Sequence, residues 1–242
     1  MAYQRAYFPT NHIYLGQGYG TLSKSHKHSY ALDLSGNYTL FAPFDCKVTK
    51  VYAPKNTSNA REVWLTSTNK VLCCNGEYCY LTLSITHPAD IIKLKVGDTF
   101  KQFQSLKIST TKMTGKYDGN HAHIELSKGK KADWDKEKIE KYKQYVNVNA
   151  IKPEKYLFIT EDTKVLKNTY KLKTYKFIRE SDITYKVANV PSEPLYIRNE
   201  NSRIIGKLYN GDEVLKFDNK ARCKVYHYEV LGYTYKKYLK KS

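Results

Sequence analysis

A chain of 242 residues with 41% hydrophobic content can build one large domain, or a medium domain and a smaller one. Its mean hydropathy is −0.64, and no apolar run approaches the roughly 20 residues of a spanning helix, which excludes a helical membrane protein. The formal charge of +18, from 41 Lys+Arg against 23 Asp+Glu, favours an anionic partner such as nucleic acid, anionic lipid or a phosphate-rich wall.

The basic residues are scattered among Tyr and Asn without a compact block, and no RNP or zinc-finger pattern accompanies them. Neither nucleic acid nor a membrane is therefore the expected partner. The opening MAYQRAYFPTNHIY has no apolar stretch behind a basic start, so no secretory signal is expected.

Most of the first 130 residues read as short strands, β-branched or aromatic and separated by Gly, Pro, Asn and Asp. They are Tyr30-Ala-Leu-Asp-Leu, Lys47 to Tyr52, Glu62-Val-Trp-Leu-Thr, Tyr80 to Ile85 and Ile124-Glu-Leu. Cys73, Cys74 and Cys79 flank an Asn75-Gly76 turn signal, which predicts reduced thiols on two facing strands. Five cysteines at these spacings form no disulfide framework, and without a Cys-x-x-Cys pair they are a poor metal site. Residues 132–145 turn helical, with Asp133 as N-cap and Trp134, Lys138, Tyr142 and Tyr145 near one face.

Residues 158–179 are rich in Lys, Tyr and Thr without a clear period and read as a linker. A second set of short strands follows at Leu195-Tyr-Ile-Arg, Ile204 to Leu208, Glu213 to Phe217, Lys224 to Val230 and Gly232-Tyr-Thr, with a tight turn at Asn210-Gly211-Asp212. The spacing predicts a small barrel over 180–242. The fold class is mainly β: an N-terminal antiparallel sheet domain over 1–157, a short helix, and the small barrel.

The seven histidines are unevenly placed. His121 and His123 stand two apart in Gly119-Asn-His-Ala-His-Ile-Glu-Leu, which on a strand turns both imidazoles to one face. In Ser25-His26-Lys27-His28-Ser29-Tyr30-Ala31-Leu32-Asp33 a histidine precedes an aspartate, two ligand types that zinc accepts. His87 ends an apolar strand in Ser84-Ile-Thr-His-Pro, a natural place for a general base or an oxyanion donor. Together these groups suffice for a two-His, one-carboxylate zinc site with two further histidines for acid–base work.

The order of these elements resembles the lysostaphin-like zinc endopeptidases, which cleave peptide cross-links in peptidoglycan. The resemblance runs from Leu15 to Leu157. It rests on Gly16-Gln-Gly-Tyr-Gly, Tyr30-Ala-Leu-Asp-Leu, Ala42-Pro-Phe-Asp-Cys-Lys-Val, His87, Val96-Gly97-Asp98 and Gly119-Asn-His-Ala-His-Ile-Glu-Leu. It implies that Asp33 and His123 are zinc ligands and that His121 and His87 are catalytic. The family's common pattern is His-x-x-x-Asp, whereas here His26 lies seven residues before Asp33 and His28 five before. His26 is favoured as the first ligand, with His28 as the alternative. Tyr19 is a candidate oxyanion donor or a core tyrosine.

The segment from about 180 to 240 is similar to bacterial SH3-like domains. The similarity lies in Pro194-Leu-Tyr-Ile-Arg-Asn, Ile205-Gly206-Lys207-Leu208, Gly211-Asp212-Glu213-Val214 and Gly232-Tyr233 followed by Tyr238-Leu239. That family carries a tryptophan before its last strands, where this chain offers Tyr226 or Tyr228. Together the two resemblances imply a monomeric peptidoglycan hydrolase of the phage endolysin type. Such a protein uses Zn2+, is made in a host cytoplasm, and is anchored to the wall by its barrel. The alternative is an inactive relative that binds the wall or activates another hydrolase.

Overall fold

The computed structural model describes residues 3–20, 25–56, 59–115, 119–166, 175–191 and 194–242. A nine-stranded sheet organises the N-terminal part. Its order is Lys164–Leu166, His12–Gln17, Leu32–Ser35, His121–Lys128, Leu81–Thr86, Glu62–Ser67, Cys46–Tyr52 and Thr99–Phe100, with Ala150–Ile151 also paired to His121–Lys128. All pairings are antiparallel except His12–Gln17 with Lys164–Leu166.

Side chains alternate across a pleated strand, so register decides what each face carries. Leu32, Leu34, Ala122, Ile124, Leu126, Leu83, Ile85, Val63 and Leu65 fall on one face, fully buried in the core. The other face carries a polar row in which Asp33, His123, Thr86, Glu62 and Tyr52 are successive partners across five strands. The next row holds Glu125, Ser84, Trp64 and Lys50. One sheet thus separates a hydrocarbon core from a functional face.

The helix is shorter than its sequence predicts. It spans Lys136–Tyr142, and the cap is Asp135, whose carboxylate accepts the Lys138 N–H. Asp133 is used elsewhere, accepting from Lys50 Nζ at 2.7 Å and from the Trp134 N–H at 2.9 Å. Lys143 in the left-handed region (φ 54°) ends the helix.

The expected linker is packed where it is described. Phe158 and Ile159 are buried, their strand pairs in parallel with Ile178–Arg179, and Phe177 packs on Phe8. Apolar side chains draw this stretch onto the N-terminal core; positions 167–174 lie outside the described residues. Also missing from the sequence-based strands are His12–Gln17 and the small Thr39–Phe41/Ser105–Ser109 pair.

The C-terminal part is a seven-stranded antiparallel sheet around its own core of Val187, Leu195, Ile197, Leu208, Val214, Cys223, Val225 and Leu239. The pairing path runs openly from Ile204–Leu208 to Leu239–Lys241, so hydrogen bonding among the described residues does not close a barrel. The predicted strand over 224–230 is broken by a turn at Tyr228 (φ 47°), which separates Arg222–His227 from Val230–Tyr235. Among the described residues no helix is long and apolar enough to cross a membrane.

The two parts touch through the Val71–Cys79 hairpin. Leu72 clusters with Leu215 and Tyr226, Tyr3 packs on both Tyr78 and Tyr226, and Arg5 pairs with Glu180 at 3.1 Å. At the hairpin tip Gly76 has φ +79°, and an added Cβ would stand 2.6 Å from Phe217 Cγ. Gly76→Ala is therefore expected to destabilise the protein by about 2–3 kcal/mol, from left-handed strain plus overpacking. Urea unfolding checks this, and an unchanged midpoint would contradict the contact.

Candidate metal centre

The His121–Lys128 strand (HAHIELSK) carries the chemistry on alternate residues: His121, His123 and Glu125 point one way, Ala122, Ile124 and Leu126 the other. Asp33 is the register partner of His123, and its Oδ1 lies 3.1 Å from His123 Nδ1. His26 enters from the segment before the Leu32–Ser35 strand and places Nε2 3.6 Å from Asp33 Oδ2. One donor atom from each of the three lies within 4.8 Å of the others, and no further such cluster occurs among the described residues.

Electrostatics couple these groups. Burial pushes the His26 imidazole down to about 4, helped by nearby His123. His123 is also penalised by burial, but hydrogen bonds to Asp33 and Glu125 outweigh that and raise it to about 10. Burial would raise the Asp33 carboxyl, yet His123 holds it below the ordinary carboxylate value.

The residues fit zinc. Two imidazoles and a carboxylate are the donor set of catalytic sites that keep a fourth position for water or substrate. The Asp33 carboxylate reaches both imidazoles, Oδ2 lying 3.6 Å from His26 Nε2 and Oδ1 3.1 Å from His123 Nδ1, and one donor atom from each residue falls within 4.8 Å of the others. An outer partner is also present: Glu125 Oε1 lies 3.3 Å from His123 Nε2, so that ring presents Nδ1 to the cluster and Nε2 to a carboxylate.

His87 and His121 stand beside this cluster with ring centroids 4.8 Å apart, and His87 lies 5.5 Å from the His123 ring. His87 has φ 91°, a conformation that costs energy for any residue but glycine. Its backbone is clamped there: its N–H donates to the Arg61 carbonyl at 2.9 Å, and its carbonyl accepts from Thr114 N–H and Oγ1 at 2.8 and 3.0 Å. Burial pushes its imidazole down to about 2, with His123 and His121 adding to the effect. His121 places Nδ1 3.2 Å from the Gly119 carbonyl.

A buried polar network backs the site. Glu125 Oε2 accepts the Asn147 N–H at 2.9 Å, and Asn147 Nδ2 donates to Ser84 Oγ at 2.6 Å. Glu62 accepts from Trp134 Nε1 at 3.0 Å, and burial, with Glu125 nearby, pushes its carboxyl up to about 8. Because its folded value exceeds the ordinary 4.5, Glu62 holds a proton that the unfolded chain has lost. Its contribution is complete below pH 4.5 and is lost as pH rises through about 8. Metal-free Glu62→Gln protein is expected to be more stable than wild type at pH 8 by up to about 4 kcal/mol, and nearly equal to it at pH 4.5 and below. Denaturant midpoints across that range check the difference; parallel curves would contradict it.

Of the residues singled out from sequence, His26, Asp33, His87, His121 and His123 are brought together. His28 is not: its exposed ring stacks on Tyr142 at 4.0 Å and 10°, and its N–H donates to Gln144. The Tyr19 hydroxyl donates to Glu154 at 2.7 Å, and its ring packs against Tyr30 and Tyr175, as a structural tyrosine does. Sequence reasoning missed Glu125, Glu62, Asn147 and Ser84. For Glu125 a signal existed, since it continues the two-residue spacing of His121 and His123.

No family model matches the chain, and no curated protein matches it. Among solved structures it is similar to the antimicrobial peptidase lysostaphin from Staphylococcus simulans, at 16% identity over 96% of this chain and 92% of that one, with a TM-score of 0.41. A solution structure of lysostaphin shares 17% identity over 92% and 87% of the two chains, with a TM-score of 0.36. A zinc-containing peptidase from Vibrio cholerae shares 16% identity over 55% of this chain and 40% of that one, with a TM-score of 0.35.

Proposed function

We propose that this protein is a zinc-dependent peptidase that hydrolyses peptide cross-links of bacterial peptidoglycan. One observation carries the reading. His26, Asp33 and His123 converge as a donor set while His87 and His121 face each other beside it. The sequence motifs that surround those five residues supply the substrate class.

His26, Asp33 and His123 would hold a zinc ion, which would supply the Lewis acidity that acidifies a water and polarises a carbonyl. His121 directs Nδ1 to the Gly119 carbonyl, which leaves Nε2 as the nitrogen that takes a proton from the attacking water. The same nitrogen then returns the proton to the leaving amine. Burial holds the His87 imidazole below its ordinary value, which suits it to donate an N–H to the developing oxyanion rather than to act as a charge. Its clamped backbone fixes where the side chain leaves the main chain.

Residues 180–242 form the wall-binding unit in this reading, a divergent SH3-like domain. Tyr226 is packed at the junction with the N-terminal part and Tyr228 is 79% exposed at a turn, so neither lines a groove as the family tryptophan does. A cleft between Pro191, Pro194, Tyr196, Arg198, Tyr235 and Tyr238 offers aromatic faces and a cation instead. The whole is a monomeric endolysin, made in a host cytoplasm and acting on the wall.

The test is clearing of a bacterial wall suspension by the full-length protein, before and after chelation and with zinc restored. Clearing that stops with chelator and returns with zinc supports the proposal. Stable attachment to walls with no clearing in any condition replaces it with the binding-only alternative.

A further inference from the structure

The hairpin formed by Val71–Leu72 and Tyr78–Cys79 turns through Asn75 and Gly76. The Cys73 N–H donates to the Glu77 carbonyl, which sets Cys73 opposite Glu77 and diagonal to Cys79 on the same face. The two sulfurs are 3.8 Å apart. Cys73 is fully buried, whereas Cys79 is half-buried. Cys74, on the opposite face, directs its sulfur to the Glu154 carbonyl at 3.9 Å. Cys46 and Cys223 lie in the two separate cores. The arrangement is therefore a pair of thiols, without the third and fourth sulfur or imidazole that a structural zinc needs.

We propose that Cys73 and Cys79 are a dithiol–disulfide site, oxidised by exchange with a low-molecular-weight disulfide, which staples the hairpin on which the C-terminal sheet rests. Cys79 is the attacking group. It is the more accessible sulfur, and the hydrogen bond from Cys73, with Lys128 and Lys70 nearby, holds its thiol below the ordinary value. Cys79 Sγ attacks one sulfur of the small disulfide and expels the other as a thiolate. Cys73 then gives up its proton, attacks Cys79 Sγ and expels the second thiolate. The two protons lost by the cysteines end on the two released thiols, so one disulfide is consumed and one is formed.

Closing 3.8 Å to about 2.05 Å asks for side-chain rotation and a small approach of two strands that are each only two residues long. The staple lies beside the contacts that seat the C-terminal sheet: Gly76 against Phe217, Leu72 against Leu215 and Tyr226, and Tyr78 against Tyr3.

The experiment exposes folded full-length protein to oxidised glutathione, blocks remaining thiols with N-ethylmaleimide after denaturation, and maps the peptides by mass. The expected result is loss of two of the five thiols within one chain and a Cys73–Cys79 cross-linked peptide. Cys74→Ser should behave as wild type, and Cys73→Ser should retain glutathione on Cys79. Wild-type protein that keeps all five thiols, or that carries glutathione on Cys79 while Cys73 still reacts, would overturn the site. Proteolysis between the two parts should slow several-fold on oxidation and recover with reductant; an unchanged rate would overturn the docking role. None of these readouts uses the metal centre.

Discussion

His123→Ala protein is expected to lose zinc binding and all peptidase activity, the largest effect of any single change in the chain. His123 touches Asp33 through one ring nitrogen and Glu125 through the other, so its removal takes a ligand and disconnects the network behind it. Glu125→Ala should be milder, weakening zinc affinity about 10–100-fold, as loss of an outer hydrogen-bond partner does. Competition against a chromophoric chelator measures both on metal-free protein without reference to substrate. Equal affinities for wild type and His123→Ala would remove His123 from the ligand set. An unaffected Glu125→Ala would show that Asp33 alone orients the ring.

His121→Ala and His87→Ala are expected to separate chemistry from metal binding. Neither contributes a donor atom to the three-residue cluster, so zinc affinity should stay near wild type. The rate of peptide hydrolysis should fall by about 10²–10⁴ for each, the usual contribution of a positioned proton-transfer group. The measurement is zinc content alongside turnover for both variants. Loss of zinc in either would make that histidine a ligand. Full activity in either would end its assignment to the reaction.

The strand-borne half of the site was legible in the sequence because strands alternate. His121 and His123 two apart, with Ala122, Ile124 and Leu126 between and after them, can only be one functional face and one core face. The loop-borne half was less legible. Residues 25–31 have no period, and what turns His26 inward and His28 outward is tertiary: Tyr142 stacks on the His28 ring and Gln144 takes its N–H. Glu62 and Glu125 were passed over because polar positions on a sheet read as solvent-facing. Here Trp134 and Asn147 cover that face, so carboxyls that look exposed in sequence are buried. The helix was overestimated for a related reason. Trp134 is occupied by Glu62 and bridges to Asn147, leaving Asp135 as the first residue free to cap. The strand His12–Gln17, paired on one side with Lys164–Leu166 and on the other with Leu32–Ser35, escaped because Gly16 and the glycines that follow it read as loop, although an added Cβ at Gly16 would meet the Ser35 hydroxyl.

Under the proposed function the +18 charge would draw the protein to a wall rich in phosphate polymers. Holding a catalytic unit near an insoluble substrate raises its effective concentration without any new contact at the active site.

The decisive measurement is product analysis on purified peptidoglycan treated with zinc-loaded protein, counting new free amino groups and new reducing sugar ends together. New amino groups that depend on zinc, with no new reducing ends, are the expected result and define hydrolysis of peptide bonds. New reducing ends, or amino groups released equally by chelated protein, would contradict a zinc peptidase.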